Sequence, residues 1–375
     1  MSELSSLSLV PAVDLPSANN GVNAGGFTAW RASVRDGVLL HVSEFVSART
    51  AELDRAGIDA AGDILLKFVS GGKCLRSAFM YMGWLCGEAA DDAALRAAAS
   101  LELLHAFALL QDDVMDESPQ RRGRPAAHIQ FAAWHRAKSL SSSPRRFGES
   151  AAILLGDLCL IWAEQMLREC GMDLPRLQQV WPRYDAMRVE LAVGQFADLT
   201  SDIRDQPSLE SVLIVARRKS GNYTVRRPLE IGAAMAGCDS YTVSQLGRYG
   251  AAVGEAFQLR DDLLGVFGSS ARTGKPDGGD LLERKATSVM VTAQQMADPP
   301  TRRELTELMS SDHLDDSLLN RWKTLIATTG AVQRIEEMIS EHLASAQKAL
   351  ADMAIDEALR EALANMATAC TERDE

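Results

Sequence analysis

Asp112, Asp113 and Asp116 close a stretch, Glu102-Leu-Leu-His105 through Gln111-Asp112-Asp113-Val-Met-Asp116, that is almost wholly apolar from Leu101 to Leu110. Asp112 and Asp116 are i and i+4, so a helix puts both carboxylates on one face. Three acids at the end of a buried helix repel one another and are costly unless something neutralises them. As a merely solvated helix end they would oppose the helix dipole. Hard cations such as Mg²⁺ or Mn²⁺ are held in this way, by one or two carboxylates, with substrate phosphates completing the shell. A second cluster lies in Gly254-Glu-Ala-Phe257-Gln258-Leu-Arg260-Asp261-Asp262-Leu-Leu-Gly265. Gln258 precedes Asp261 by about a turn, and Gly265 stands where a third acid would repeat the first pattern. Two such clusters on two apolar helices suggest opposing walls of one cavity for a metal and a diphosphate.

Basic residues accompany the acids. Gly71-Gly72-Lys73-Cys-Leu-Arg76 places Lys and Arg three apart after a Gly-Gly break, and Arg121-Arg122-Gly123 follows the first cluster directly. Lys219-Ser220 precedes Tyr223 at helical spacing, and Thr273-Gly274-Lys275-Pro276 follows the second cluster. Singly, each reads as a solvated surface charge. Jointly, they are what two diphosphates require, with Arg giving bidentate contacts and Lys a point charge. His105 lies two turns before Asp112 on roughly the same face. Other chemistries lack their signatures. The run Gly268–Lys275 has the wrong glycine spacing for a P-loop, and Pro276 replaces the Ser or Thr. No Gly-x-Gly-x-x-Gly follows a strand, and no Gly-x-Ser-x-Gly elbow occurs.

These residues need helices to position them, and the chain supplies little else. It has 375 residues, 46% hydrophobic and only 6% aromatic, which favours helix over a β-sandwich. Ala93–Asp113 and Ala151–Glu169 read as buried helices. Ile335, Met338, Ile339, Leu343, Ala346 and Leu350 form a stripe at helical spacing. Breaks fall at Ser118-Pro119, Ser139–Pro144, Asp205–Ser208, Ala271–Gly279 and Asp298–Pro300, and no strand pair is evident. Residues 1–28 read as a flexible N-terminal tail, and residues 29–375 as one all-α domain of about ten or more helices. Charge (39 Lys+Arg against 51 Asp+Glu, net −12) argues against a nucleic-acid or anionic-membrane partner. No signal peptide is expected, and no uninterrupted apolar run reaches the roughly 18 residues of a membrane span, so a cytoplasmic protein is expected. The six cysteines form no CxxC pair and read as small buried hydrophobes.

In order along the chain, GGKxxR (Gly71–Arg76), ExxHxFxLxxDDxxD (Glu102–Asp116), RRG (Arg121–Gly123), GD (Gly156-Asp157), GQxxD (Gly194–Asp198), KSxxY (Lys219–Tyr223), FQxxDD (Phe257–Asp262) and TGKP (Thr273–Pro276) resemble the trans-isoprenyl diphosphate synthases, or polyprenyl synthetases. The resemblance runs from about Trp30 to the last helices and is most like the bacterial geranylgeranyl diphosphate synthases. Ser77 stands where Pro is usual, Ser220 where Thr is usual, and Gly265 where the final acid is usual. The resemblance implies a helical bundle around a central cavity, the isoprenoid synthase fold, and a homodimer.

It also implies roles. Asp112 and Asp116 would share two Mg²⁺ and Asp261 would hold a third, Mn²⁺ being an alternative. Asp113, Asp262, Asp198 and Gln195 would support them. Arg121, Lys219 and Lys275 would contact the allylic diphosphate. Lys73, Arg76, His105 and Arg122 would hold isopentenyl diphosphate. Ser220, Tyr223, Phe257 and Gln258 would line the reacting centre. Phe107 and Ala108, about a turn before Asp112, would limit chain length, and one aromatic at the farther position resembles a twenty-carbon stop. The implied activity is Mg-dependent condensation of isopentenyl diphosphate with dimethylallyl, geranyl or farnesyl diphosphate to geranylgeranyl diphosphate. Farnesyl diphosphate synthase is the alternative. A class I terpene cyclase would need an Asn-x₃-Ser/Thr-x₃-Glu site, which none of Asn19, Asn20, Asn23, Asn222, Asn320 or Asn365 begins. A non-catalytic partner subunit would have no use for the intact acidic and Arg motifs.

Overall fold

The computed structural model of the chain describes residues 14–15, 24–201, 207–268, 278–311 and 313–372. The helices are α1 Ala24–Arg55, α2 Asp59–Val69, α3 Leu75–Trp84, α4 Asp92–Met115, α5 Ala127–Ala137, α6 Pro144–Arg168, α7 Leu174–Leu199, α8 Leu209–Ala216, a π-helix Arg217–Arg226, α9 Arg227–Met235, α10 Ser240–Phe267, α11 Gly279–Leu282, α12 Ser288–Met296, α13 Pro299–Ser310, α14 Asp316–Thr328, α15 Ala331–Ala351 and α16 Glu357–Thr371. The fold is all-α. The chain divides into two compact units. One comprises Met1–Trp181, Ile231–Asp239 and Ile355–Ala362, the other Pro182–Glu230, Ser240–Ala354 and Leu363–Glu375.

Helix boundaries follow side-chain caps. Asp91 accepts from the Ala94 N–H at 2.9 Å to start α4, and Asp298 from the Thr301 N–H at 2.8 Å to start α13. Ser143 accepts from Arg146 N–H at 3.4 Å with Pro144 at the first turn of α6. Each such cap is worth about 1 kcal/mol. In the first unit α4 packs on α1, α3 and α6, with Leu101, Leu103, Leu104 and Leu110 fully buried. In the second unit α10 packs on α15, α11, α12 and the π-helix, around Leu259, Leu263, Val289, Trp322, Ile326, Ile335 and Ile339.

Two expectations need correction. First, a strand pair exists: β1 (Gln120–Arg121) pairs antiparallel with β2 (Arg124–Pro125). Its two-residue turn has φ +52° at Arg122 and +72° at Gly123. Hairpin turns favour positive φ at both central positions, but Arg is an uncommon choice there, so the sequence signal is weak. Second, α1 begins at Ala24, inside the stretch assigned to the tail. Gly25 and Gly26 argue for coil by propensity, but Phe27 and Trp30 are buried and stack at 6.0 Å. No uninterrupted apolar run reaches a membrane span's length, but α4 and α6 are each long and apolar enough to cross a membrane by length and composition alone. The apolar stretch of α4 is 67% buried inside the protein and that of α6 44%. Cys74, Cys159, Cys170 and Cys370 are buried thiols, while Cys86 and Cys238 are only partly covered.

Candidate active site

In the first unit, α4 ends on the acids. Asp112 and Asp113 lie in its last turn, and Asp116 is the residue that caps it, its N–H bonded to the Asp112 carbonyl at 2.8 Å. The three carboxylates have different surroundings. Asp113 is 1% exposed and accepts from Arg121 Nε at 2.8 Å and from Arg121 Nη2. Burial raises its pKa, against the pull of Arg121, and its Oδ2 has no hydrogen-bond partner. Asp112 accepts from Arg121 Nη2 at 3.4 Å, and both Asp112 and Asp116 are partly exposed. Asp113 therefore anchors Arg121, while Asp112 and Asp116 present oxygen to solvent. Among the described residues no three His, Cys, Asp or Glu side chains converge to hold a metal unaided. Two hard carboxylates on one turn suit Mg²⁺, which keeps waters and takes phosphate oxygens in place of further protein ligands.

The hairpin turn sends the adjacent arginines in different directions. Arg121 reaches α4, while Arg122 Nη1 donates to the carbonyls of Phe68 and Gly71, each at 3.2 Å. Gly72 has φ +111°, and a Cβ there would meet Arg122 Nη2 at 3.2 Å, so conformation and space both call for glycine. Arg35 Nε donates to the Gly72 carbonyl at 2.8 Å. Lys73 is exposed at this turn, and Arg76 lies in the first turn of α3. Ser77 Oγ, where Pro is usual, donates to the buried Glu102 at 2.9 Å.

His105 lies among these cations. Burial, then Arg76, Arg122 and Arg121, hold its pKa well below the usual histidine range. The ring is therefore neutral at pH 7. Its folded pKa is depressed below the ordinary 6.5, so its linkage is absent above that pH and costs stability as the unfolded chain gains a proton below it. Between pH 6.5 and 5, wild type should lose up to about 1.4 kcal/mol per pH unit more than His105→Gln, read from urea unfolding. Equal slopes for both proteins would contradict the assignment.

Phe107 and Ala108 are partly exposed on α4, while Leu103, Leu104, Ala106 and Leu110 are buried. Gln111 Nε2 donates to the Ile153 carbonyl at 3.3 Å and to Asp157 at 3.2 Å. Gly156 leaves room for that amide, since a Cβ there would come within 3.0 Å of it.

In the second unit, the KSxxY residues lie in the π-helix, whose i→i+5 bonding is frequent at functional positions. Lys219 Nζ donates to Asp198 on α7, and Tyr223 is buried. A Cβ at Gly194 would stand 2.4 Å from the Lys219 backbone nitrogen, and one at Gly254 2.7 Å from the Gly221 carbonyl oxygen. These glycines let α7 and α10 press against the π-helix. Gly194→Ala should cost about 2 kcal/mol in unfolding experiments. Unchanged stability would mean that the contact relaxes freely. Ser220, Gln195 and Gln258 are partly exposed, and Phe257 is buried.

Asp261 is partly exposed, whereas Asp262 is 7% exposed. Asp262 accepts from Gln258 Nε2 at 2.9 Å, from Ser288 N–H at 2.9 Å and from Ser288 Oγ at 2.6 Å. Its carboxylate thus sits at the N-terminus of α12, where the dipole favours an anion. Burial still raises its pKa. Arg35 and Ser288 were not singled out from sequence: each meets its partner from 37 or 26 residues away, with no local spacing to mark it. Lys275 lies outside the described residues.

Residues 60–326 match the sequence profile of the polyprenyl synthetase family. The geranylgeranyl diphosphate synthase of Mycobacterium tuberculosis is 30% identical over 284 residues, 76% of this chain and 76% of that one. The nonaprenyl diphosphate synthase of the same organism is 28% identical over 332 residues, 88% of this chain and 90% of that one. A solved geranylgeranyl pyrophosphate synthase from Corynebacterium glutamicum, complexed with isoprenyl diphosphate and magnesium, superposes with a TM-score of 0.84. It is 34% identical, with 92% of this chain and 98% of that chain covered. The names of these relatives span products of different length. With residues 60–326 matched and relatives of 30% identity or more covered over most of their length, this chain belongs to the polyprenyl synthetases, the trans-isoprenyl diphosphate synthases.

Proposed function

We propose that this chain joins isopentenyl diphosphate head to tail to dimethylallyl, geranyl and farnesyl diphosphates, releasing inorganic diphosphate, with geranylgeranyl diphosphate as the end product. The observation that carries the reading is on α4: a basic group around His105 and, two turns on, a carboxylate pair beside Arg121. A cyclase, with one diphosphate to bind, has no use for the first group. In this reading Lys73, Arg76, His105 and Arg122 hold isopentenyl diphosphate. Asp112, Asp116 and Asp261 hold three Mg²⁺, or Mn²⁺ in their place. Bound there, the ions neutralise charge that develops on the allylic diphosphate. Arg121, Lys219 and Lys275 contact the same diphosphate. Asp113 keeps Arg121 in place, and Asp262, Asp198 and Gln195 steady their neighbours.

The reaction then needs little covalent help from side chains. The allylic C–O bond breaks, the isopentenyl double bond attacks the freed carbon, and a proton leaves the new bond's neighbour for the released diphosphate. Phe257, Gln258, Ser220 and Tyr223 keep water from the allylic carbon. Lys73→Ala should raise KM for isopentenyl diphosphate about tenfold, as for loss of one charge-assisted hydrogen bond. KM for the allylic substrate should stay nearly constant, and equal losses would refute the two-site assignment.

The same reading makes the chain a cytoplasmic homodimer that spans no membrane and binds no nucleic acid, with α4 and α6 as core helices. Apolar side chains support the dimer. Leu154 and Ile161 are exposed on α6, and Val189, Val193 and Phe196, the last 73% exposed, form a stripe on α7. The function is tested by incubation with isopentenyl diphosphate and each allylic primer, with products read by mass spectrometry. Twenty-carbon product is expected, and fifteen-carbon product would mean a farnesyl diphosphate synthase.

A further inference from the structure

Lys73 follows two glycines, whose freedom leaves the base of its side chain poorly fixed by the chain itself. Both glycine carbonyls are nonetheless gripped. Arg122 Nη1, from the hairpin turn, donates to the Gly71 carbonyl at 3.2 Å, and Arg35 Nε, from α1, donates to the Gly72 carbonyl at 2.8 Å. A peptide group is planar, so a guanidinium that holds the Gly72 oxygen also sets the plane in which the nitrogen and Cα of Lys73 lie. Arg122 does the same for Gly72 itself. The backbone on either side of Lys73 needs such a grip. Its φ is +111° at Gly72 and +47° at Cys74, which caps α3 in a left-handed conformation that a side chain disfavours. Conformations of this kind persist where the surroundings enforce them.

The ion pair of Arg35 with Asp36 does not account for its placement, because it joins exposed side chains at 3.1 Å and such pairs contribute little. Arg35 also precedes residues 60–326, so this grip comes from the N-terminal helix and not from the stretch that matches the family. We propose, resting on the reading above, that Arg35 is a positioning residue for isopentenyl diphosphate: by holding the Gly72 carbonyl it fixes where the Lys73 ammonium meets the diphosphate. Arg35 acts through the turn and not on the phosphate. Preorganising a flexible cation spares the ordering that binding would otherwise cost. The allylic diphosphate, held from Asp112, Asp116 and Arg121, does not depend on this turn.

The test is steady-state kinetics of the full chain with both substrates varied, well below the thermal unfolding midpoint of each protein. The proteins are wild type, Arg35→Met, Arg35→Gln, Lys73→Ala and the double variant Arg35→Met/Lys73→Ala. Arg35→Met keeps the length of the stem and loses the donor. It should raise KM for isopentenyl diphosphate about fivefold and leave the allylic KM nearly constant, as for loss of one hydrogen bond from a charged group. Arg35→Gln places an amide N–H as many bonds from Cα as Nε, without the charge, and should stay within about twofold of wild type. In the double variant the effect of Arg35→Met should vanish, leaving the KM of Lys73→Ala, because no cation is left to position. Effects that multiply in the double variant would overturn the proposal, since Arg35 would then act on the diphosphate directly. An unchanged isopentenyl KM in Arg35→Met, equal rises in both KM values, or an Arg35→Gln enzyme as impaired as Arg35→Met would overturn it as well. So would an Arg35→Met chain that does not fold, which would make the contact one of structure alone. An inactive wild type, or Lys73→Ala with equal losses for both substrates, would instead overturn the parent reading, and this inference with it.

Discussion

Asp112→Ala or Asp116→Ala lowers kcat by on the order of 10²-fold or more, the effect of removing one preorganised electrostatic group from a charge-separating step. Both carboxylates are partly exposed at the end of α4. Neither is enclosed as Asp113 is, so their loss removes ligand oxygen with little change in packing. Asp113→Asn should act differently. It leaves the shape intact but loosens Arg121, which Asp113 holds through two nitrogens. Its loss should fall on allylic KM and on stability as well as on kcat. Steady-state kinetics with both substrates varied, beside unfolding curves, separates the cases. An Asp112→Ala enzyme with kcat within about threefold of wild type would remove this carboxylate from the electrostatic account.

Phe107→Ala yields products beyond twenty carbons, and Ala108→Phe shortens them towards fifteen. The growing chain extends from the diphosphate end along α4, and residues a turn before Asp112 meet it. Phe107 and Ala108 are partly exposed while the core leucines on either side of them are buried, so these two can meet a ligand where Leu104 cannot. The phenyl ring removes room that the alanine leaves. Mass spectrometry of products from farnesyl diphosphate reads both variants. An unchanged distribution in both would place the floor elsewhere, with Ile153, which is partly exposed on α6, as the next residue to change.

The sequence displayed most plainly the features that depend on local periodicity. The stripe through Ile335, Met338, Ile339 and Leu350 became a buried face of α15, because core packing enforces the 3.6-residue repeat. The apolar run before Asp112 became α4 for the same reason. The end of α4 was less legible: Asp116 proved to be the cap, and a helix end is set by tertiary surroundings as much as by its own residues. The π-helix left no mark in Arg217–Arg226, and the glycines that lie against its backbone, Gly194 and Gly254, come from other helices. Nor could spacing reveal the partners of Gly72 and Asp262. Arg35 and Ser288 arrive from other helices, and only the tertiary fold brings them there. Motif reading picked out the candidate site residues, but not the side chains that hold them.

The central claim is that two different diphosphates are bound and that one is displaced when the prenyl chains join. Release of inorganic diphosphate by the full chain with Mg²⁺, measured with farnesyl diphosphate alone, with isopentenyl diphosphate alone and with both, tests it most directly. The account predicts release only with both substrates, one diphosphate for each five-carbon addition. Release from farnesyl diphosphate alone at the same rate would contradict it in favour of a cyclase, and no release under any condition would contradict it in favour of a non-catalytic subunit.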